Sequence, residues 1–178
     1  MRALAPAKNA PAHDLVMTPP ALARRIVEHF TWENAPEHCL DPCRGDGAFY
    51  DAMKAQHLLH GTVAWCELTE GEDFFTSGYA DPAHNCWDWV ITNPPWSKLR
   101  SFLTLSMAIS KNIVFLATLT HFCTKARLKD IRDQGFGLKE ALLVPTPPKP
   151  WPGSGFQLAA VHLQLGWTGP LTFSGEPG

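Results

Sequence analysis

The sequence has no apolar run long enough to cross a membrane. A membrane-spanning helix needs about eighteen or more consecutive apolar residues, and none of the 178 residues belongs to such a run. Residues 1–13 are rich in Ala, Pro and polar side chains, so we also expect no signal peptide. From these absences we expect no membrane partner and a cytoplasmic location.

Cysteine pairs with the spacing of a metal or redox site are also absent. The five cysteines, at positions 39, 43, 66, 86 and 123, include no C-x-x-C pair, and the eight histidines are scattered. We therefore predict no zinc ribbon, no redox motif and no metal site. Cys39 and Cys43 are interpreted as small apolar residues beside a strand.

The chain has no overall basic excess, but its charge is divided unevenly. The formal net charge is −2. Residues 1–97 contain six Lys and Arg against thirteen Asp and Glu, whereas residues 98–149 contain nine against three. The second region would attract a polyanionic substrate. A solvated helix face is the alternative interpretation.

Strands and helices alternate along most of the chain. The patterns predict a helix that begins at Pro19, with Thr18 as its cap, and continues to about residue 30, and further helices over 48 to about 59, 97–110 and about 123–133. They predict strands ending at 41, over 61–66, 87–92 and 113–117, and two closing antiparallel strands over 139–144 and 158–165. This alternation is typical of an α/β, Rossmann-like doubly wound fold with a mostly parallel sheet.

The segment Asn93-Pro94-Pro95-Trp96 directly follows the predicted strand 87–92. Two prolines make a stiff turn whose carbonyls remain available as acceptors. The Asn93 side-chain oxygen and the Pro94 carbonyl can accept hydrogen bonds from one planar amino group, while Trp96 stacks on its ring. This arrangement predicts a site for an exocyclic amine. A rigid connector with Trp96 as a core anchor is the alternative.

A second motif comes earlier, where residues 39–49 form a strand end, a glycine-containing turn and a helix start. Gly45 and Gly47 permit close approach of a ligand, although the spacing is not the three-glycine dinucleotide fingerprint. Asp41 would bind a positively charged or amino-bearing ligand. Because Asp41, Glu67 and Asn93 all end strands, we expect them at the ligand-binding edge of the sheet. An ordinary strand-to-helix turn with solvated acids is the alternative.

Together these motifs resemble the S-adenosylmethionine-dependent amino-methyltransferases, which modify adenine or, less often, cytosine amino groups. The resemblance runs from about residue 18 to 165, with a motif order similar to the gamma arrangement. It implies that Glu67 binds the ribose of the cofactor and that Asp73 meets its adenine. The implied cofactor-binding residues are Thr18, Pro19, Asp41, Pro42, Gly45, Gly47, Phe49, Glu67, Asp73, Phe74 and Asn93.

The resemblance implies methyl transfer from S-adenosylmethionine to adenine in DNA, catalysed by Asn93, Pro94, Pro95 and Trp96. An RNA-base or protein-glutamine methyltransferase, or an inactive cofactor-binding subunit, is the alternative. The candidate substrate-binding residues are Trp96, Lys98, Lys125, Arg127, Lys129, Trp151 and Phe156. For the last two, which lie in a Pro- and Gly-rich segment, the alternative is that they cover the sheet edge.

The sequence departs from the family in two respects. We expect residues 14–167 to form one methyltransferase domain without a separate target-recognition domain, between flexible tails at 1–13 and 168–178. A partner subunit or the basic loops would then supply specificity, and the small size suits compact enzymes such as phages carry. Arg44 also occupies a position in the glycine loop where the family usually has a small residue.

Overall fold

One seven-stranded sheet organises the chain in this computed structural model, with strand order β2-β1-β3-β4-β6-β5-β7. The structure describes residues 16–31, 37–56, 61–83, 87–149, 151, 153 and 155–177. The strands are β1 (His38–Asp41), β2 (Thr62–Trp65), β3 (Trp87–Thr92), β4 (Ser110–Thr118), β5 (Phe136–Leu143), β6 (Leu158–Leu165) and β7 (Thr172–Gly175). The helices are α1 (Pro20–Thr31), α2 (Ala48–Ala55), α3 (Leu99–Ile109) and α4 (Lys125–Asp133).

Strand direction confirms the predicted fold class. β1 pairs in parallel with β2 and β3, and β3 with β4. β6 is antiparallel to both β4 and β5, while β7 is parallel to β5. The sheet is therefore mostly parallel and is closed by one reversed strand, as the two apolar runs at 139–144 and 158–165 predicted.

Both faces of the sheet are covered, because side chains of the central strands alternate between two apolar clusters. Val90 and Phe115 pack with α3 and α4 on one face, whereas Trp89 and Val114 pack with α1 and α2 on the other. Double coverage explains the continuous apolar run in β4. It also leaves the strand ends as the places where polar groups can meet a ligand.

Helix α1 shows how the sequence determines one of these layers. Its buried residues Ala23, Ile26, Val27 and Phe30 follow the spacing of one helical face. The first helical residue is Pro20, one position later than predicted. The Pro19 carbonyl instead accepts hydrogen bonds from the amides of residues 22 and 23, at 2.9 and 3.1 Å.

Strand β7 corrects the expectation of a flexible tail over 168–178. Residues 172–175 pair with β5, and the Thr172 hydroxyl donates to the Lys139 carbonyl at 3.1 Å. The Ser174 hydroxyl also donates to the Glu140 carboxylate. These contacts outweigh the weak strand pattern of a four-residue segment next to Gly and Pro. The predicted tail at 1–13 and the predicted helix residues 57–59 lie outside the described residues.

None of the helices in the described part of the chain has the length and apolar character of a membrane-spanning segment.

His162 on β6 is a buried ionisable residue within the apolar layer next to α1. Its ring stacks on Trp89 with centroids 4.8 Å apart and contacts the edge of Phe30 at 5.5 Å. Its Nε2 forms a 3.0 Å hydrogen bond with Oδ1 of Asn112. Burial, with a contribution from the charge of Lys139, lowers the pKa of His162 to about 4. The ring is therefore neutral in the folded protein at neutral pH.

We expect the stabilising effect of His162 to decrease as the pH falls from its ordinary pKa of 6.5 towards about 4. In that window the unfolded chain binds a proton that the folded chain does not, so acid favours unfolding. The difference in unfolding free energy between wild type and His162→Gln should shrink by about 2 kcal/mol between about pH 7.5 and about pH 5. Urea unfolding of both proteins measures this, and a pH-independent difference would contradict it.

The urea experiment must compare wild type with His162→Gln, because Asp41 changes the pH dependence of stability in the opposite direction. Burial raises the pKa of Asp41 to about 7, so the folded chain retains a proton that the unfolded chain loses between about pH 4 and 7. Both proteins contain Asp41, and its contribution cancels in the difference.

Candidate active site

A cavity of about 360 Å³ lies where β1, β2 and β3 end. Its volume is in the range of small-molecule sites. The sequence predicted eight of its lining residues: Pro42, Gly45, Glu67, Asp73, Phe74, Asn93, Pro95 and Lys98. The prediction missed Val16, Met17, Cys43, Asp46, Leu68, Thr69, Phe75 and Phe102.

The glycine turn forms one wall of the cavity. Gly45 and Gly47 have φ of 56° and 97°, in the left-handed region that favours glycine. A Cβ at Gly45 would lie 2.9 Å from Sδ of Met17, which also lines the cavity. The backbone conformation of the turn therefore favours glycine at position 45, and a side chain there would also have to displace the end of the Met17 side chain.

Glu67, at the end of β2, holds this turn in place. Its Oε2 accepts a 2.8 Å hydrogen bond from the Gly45 amide. Its Oε1 accepts from the Thr69 amide at 3.0 Å and from the Thr69 hydroxyl at 2.7 Å. Burial alone would raise the pKa of Glu67, but these hydrogen bonds and the charge of Arg44 outweigh it and the pKa is lowered. An ionised carboxylate thus faces the cavity at neutral pH.

Arg44 points away from the cavity. Its guanidinium carbon lies 4.0 Å from the centre of the Trp65 ring, and the group pairs with the Glu70 carboxylate. The large residue in the glycine loop is therefore accommodated against the Trp65 ring of β2. The Glu70 carboxylate neutralises the charge of Arg44, and Arg44 does not line the cavity.

Asp41 does not line the cavity, contrary to the expectation that it binds a ligand directly. Its carboxylate is fully buried under the turn, where Oδ1 accepts from the Thr92 hydroxyl at 2.6 Å and from the Cys43 amide at 3.4 Å. Oδ2 has no hydrogen-bond partner. The hydrogen bond from Thr92, on the adjacent strand β3, holds the Asp41 carboxyl group in this buried position. A motif within one segment of the sequence does not reveal such a contact between two strands.

The opposite wall combines Asp73 with three aromatic rings. Oδ1 of Asp73 accepts a 3.1 Å hydrogen bond from the Phe75 amide. The ring of Phe74 is buried and stacks on Phe102 with centroids 5.4 Å apart. Phe75 is 40% exposed whereas Phe74 is buried, so Phe75 has more ring surface available to a ligand than Phe74. Its place next to the predicted Phe74 was the signal that could have found it.

Asn93, directly after β3, carries an unused acceptor. Its Nδ2 donates a 3.0 Å hydrogen bond to the Val16 carbonyl. Because a carbonyl can only accept, this contact fixes the amide with its Oδ1 on the other side. Oδ1 is buried and has no hydrogen-bond partner. A buried oxygen without a partner costs about 1–3 kcal/mol and marks a place where a ligand donor can bind.

Trp96, which follows Asn93-Pro94-Pro95, lies in a cluster with His121 and Trp151. The ring centroids are 5.7 and 6.5 Å from that of Trp96. Trp151 was predicted as an exposed stacking residue, but it is only 5% exposed and packs in the apolar layer of α1 and α2. This corrects its assignment as an exposed substrate contact and agrees with the alternative of a covering role. Phe156 is 58% exposed.

The remaining predicted residues do not line the cavity. Thr18 and Phe49 border an adjacent recess of about 30 Å³. Lys125, Arg127 and Lys129 lie on α4, where Lys129 pairs with Asp133. The others outside the cavity are Pro19, Gly47, Pro94, Trp96, Trp151 and Phe156. Among the described residues, no group of three or more His, Cys, Asp or Glu side chains could hold a metal ion.

Solved structures with similar folds identify this architecture. A Listeria monocytogenes protein described as a class I S-adenosylmethionine-dependent methyltransferase superposes with a TM-score of 0.61 at 14% identity, covering 95% of this chain and 69% of its own. The fold is that of the S-adenosylmethionine-dependent methyltransferases. No protein-family model and no curated protein matches the sequence.

Two further structures share the methyltransferase fold. The methyltransferase subunit of a type I restriction-modification system from Streptococcus thermophilus has a TM-score of 0.64 at 12% identity, covering 88% of this chain and 47% of its own. A Pyrococcus horikoshii protein described as an RNA methyltransferase has a TM-score of 0.58 at 18% identity, covering 89% and 90%. The chain thus spans about half the length of the restriction-modification subunit.

Proposed function

We propose that this protein binds S-adenosylmethionine in the 360 Å³ cavity and methylates the exocyclic amino group of adenine in DNA. The observation that carries the proposal is Asn93, which lines the cavity and whose buried Oδ1 has no hydrogen-bond partner. An amino group donating to this oxygen would satisfy it. The motif resemblance and the fold support the same activity.

The residues around the cavity fit the proposed cofactor. The Gly45 turn allows close approach of the backbone, the ionised Glu67 can accept from ribose hydroxyls, and Asp73 can accept from the adenine amino group. Phe75 offers a partly exposed ring for the adenine face. When bound, S-adenosylmethionine supplies a methyl group that its sulfonium already activates.

The chemistry required of the chain is then alignment and polarisation of an amine. Asn93 Oδ1 and the Pro94 carbonyl accept hydrogen bonds from the amino group, which favours a localised lone pair on its nitrogen. The nitrogen would gain the methyl group as the methyl–sulfur bond breaks, which leaves S-adenosylhomocysteine, and it would give up one proton to solvent. The rate advantage comes from orientation and from acceptors that are already in place.

A base inside a duplex cannot present its amino group to this cavity, so the target base must leave its stack. Trp96 would hold the extruded ring, assisted by an aromatic such as Phe156, and Lys98 at the cavity would contact the polyanion. The similarity to a restriction-modification methyltransferase subunit supports DNA as the substrate. Because that protein is one subunit of a larger system, the same comparison supports a partner subunit that selects the target sequence.

The test is a transfer assay with labelled S-adenosylmethionine that offers unmethylated duplex DNA, single-stranded DNA and RNA in parallel. We expect label in DNA and none in RNA. Label only in RNA would replace the proposal with an RNA-base methyltransferase. Absence of transfer to all three, with the cofactor still bound, would leave a protein substrate or an interaction subunit.

A further inference from the structure

Asp46, between the two glycines of the turn, is an acidic residue to which the proposed reaction gives no role. It is exposed, and it lines both the 360 Å³ cavity and the adjacent recess of about 30 Å³. Asn93 lines the same two spaces. Because the recess is so small, Asp46 and Asn93 lie on the same side of the cavity.

The other acidic residues of the cavity wall are engaged by the protein, whereas Asp46 is not. Glu67 accepts hydrogen bonds from the glycine turn and from Thr69. Asp73 accepts one from the Phe75 amide. In the described part of the chain, the Asp46 carboxylate forms neither a hydrogen bond nor an ion pair. Its charge is therefore available to a ligand.

The charged residues around the cavity give it an excess of negative charge. Among the described residues, those that line it are three acids and one base: Asp46, Glu67, Asp73 and Lys98. Arg44, next to Asp46 in the sequence, does not line the cavity and pairs with the Glu70 carboxylate. A cation bound in the cavity would thus be stabilised by its wall.

The cofactor and the product of the proposed reaction differ in charge at one atom. S-adenosylmethionine has a positive sulfonium, whereas S-adenosylhomocysteine has a neutral thioether. In a cavity of 360 Å³, a carboxylate on the wall lies within about one Debye length of a bound charge, roughly 8–10 Å near physiological salt. The carboxylate can therefore favour the cationic ligand without a direct contact.

We propose that Asp46 makes this site prefer S-adenosylmethionine over S-adenosylhomocysteine by attracting the sulfonium charge. This inference rests on the proposed function, since it concerns the same cofactor cavity. The attraction ends with methyl transfer, because the sulfur keeps the electron pair of the broken methyl–sulfur bond and becomes neutral. The product then dissociates more readily than the cofactor. Asp46 is accordingly a specificity-determining residue that takes no part in bond formation.

The test compares Asp46→Asn with Asp51→Asn, a matched loss of one carboxylate from the same segment. Asp51 is exposed in the first turn of α2 and does not line the cavity. Calorimetry measures the Kd of S-adenosylmethionine and of S-adenosylhomocysteine for each protein. Asp46→Asn should weaken binding of the cofactor about three- to tenfold and that of the product less than about twofold. Asp51→Asn should leave the ratio of the two constants unchanged.

A structural role for Asp46 is the competing explanation, because an acid just before α2 also stabilises the positive end of the helix dipole. Such a role would lower thermal stability and leave the ratio of the two constants at its wild-type value. That result would overturn the proposal. Asp46→Glu keeps the charge and should keep the wild-type ratio. Should Asp46→Asn fail to fold, Asp46→Ser must show the same loss of preference.

Salt provides a second readout that a structural role would not change. Added salt screens the attraction, so the preference of wild type for S-adenosylmethionine should decrease as the salt concentration rises. The ratio in Asp46→Asn should depend on salt less strongly. Equal salt dependence in the two proteins would contradict the assignment.

The binding assay separates this inference from the proposed function. A ratio that depends on Asp46, with no methyl transfer to DNA, would overturn the methylation of adenine and support the role of Asp46. Transfer to DNA with a ratio indifferent to Asp46 would overturn that role and support the methylation. A protein that binds neither ligand would contradict both.

Discussion

Replacing Asn93 with Ala is expected to slow methyl transfer about 10²- to 10³-fold, the usual effect of removing one preorganised hydrogen-bonding group from an active site. The variant loses the buried Oδ1 that would accept from the target amine. It also loses the 3.0 Å hydrogen bond to the Val16 carbonyl, so the cavity wall before α1 must be checked separately. Single-turnover rates with saturating S-adenosylmethionine measure the catalytic effect directly.

Asn112→Ala provides the matched control for this experiment. Asn112 lies on β4 with both ends of its amide used, Nδ2 donating to the Asp88 carbonyl and Oδ1 bound to His162. Its removal should lower stability and leave the rate constant within about twofold, because it lies outside the cavity. Calorimetric titration with S-adenosylhomocysteine should show near-wild-type binding for Asn93→Ala. Full activity in Asn93→Ala would refute the assigned role.

Glu67→Gln is expected to weaken cofactor binding about 10- to 100-fold, corresponding to about 1.5–3 kcal/mol for hydrogen bonds to a charged group. The carboxylate accepts from the Gly45 amide on one oxygen and from Thr69 on the other. A glutamine amide has only one accepting end, so either the turn or the Thr69 contact must be lost. The effect should appear in the dissociation constant of S-adenosylmethionine, measured by calorimetry.

Glu72→Gln tests whether charge alone is responsible. Glu72 is exposed in the same segment, and its amide bonds to the Glu67 carbonyl at 3.1 Å through the backbone only. This substitution removes the same charge and leaves the hydrogen bonds of the glycine turn intact. Comparable weakening in both variants would show that long-range electrostatics, and not the Glu67 hydrogen bonds, governs cofactor binding.

The sequence predicted much of the sheet because its signals are local. The apolar runs that became β3 and β6 have the predicted bounds, 87–92 and 158–165. The positions of Glu67 and Asn93 at strand ends follow from the same patterns, because parallel strands bring their carboxyl ends to one edge. Local periodicity therefore accounts for the fold, whereas the motifs and the family resemblance account for half of the residues that line the cavity.

What the sequence did not reveal depends on contacts between distant segments. The Val16 carbonyl that orients Asn93 is separated from it by 77 positions, and no motif links the two. Thr92, whose hydroxyl donates to the buried Asp41 carboxyl group, is likewise distant from Asp41 in the sequence. The burial of Trp151 depends on the apolar layer beneath it. Such pairings arise only when separate elements pack together.

The measurement that tests the central claim most directly is nucleoside mass analysis of DNA incubated with the protein and trideuteromethyl-labelled S-adenosylmethionine. The account predicts deoxyadenosine heavier by one labelled methyl group on its amino nitrogen, and its loss in the reaction with Asn93→Ala. Label on cytosine, or unlabelled DNA from a protein that binds the cofactor, would contradict it.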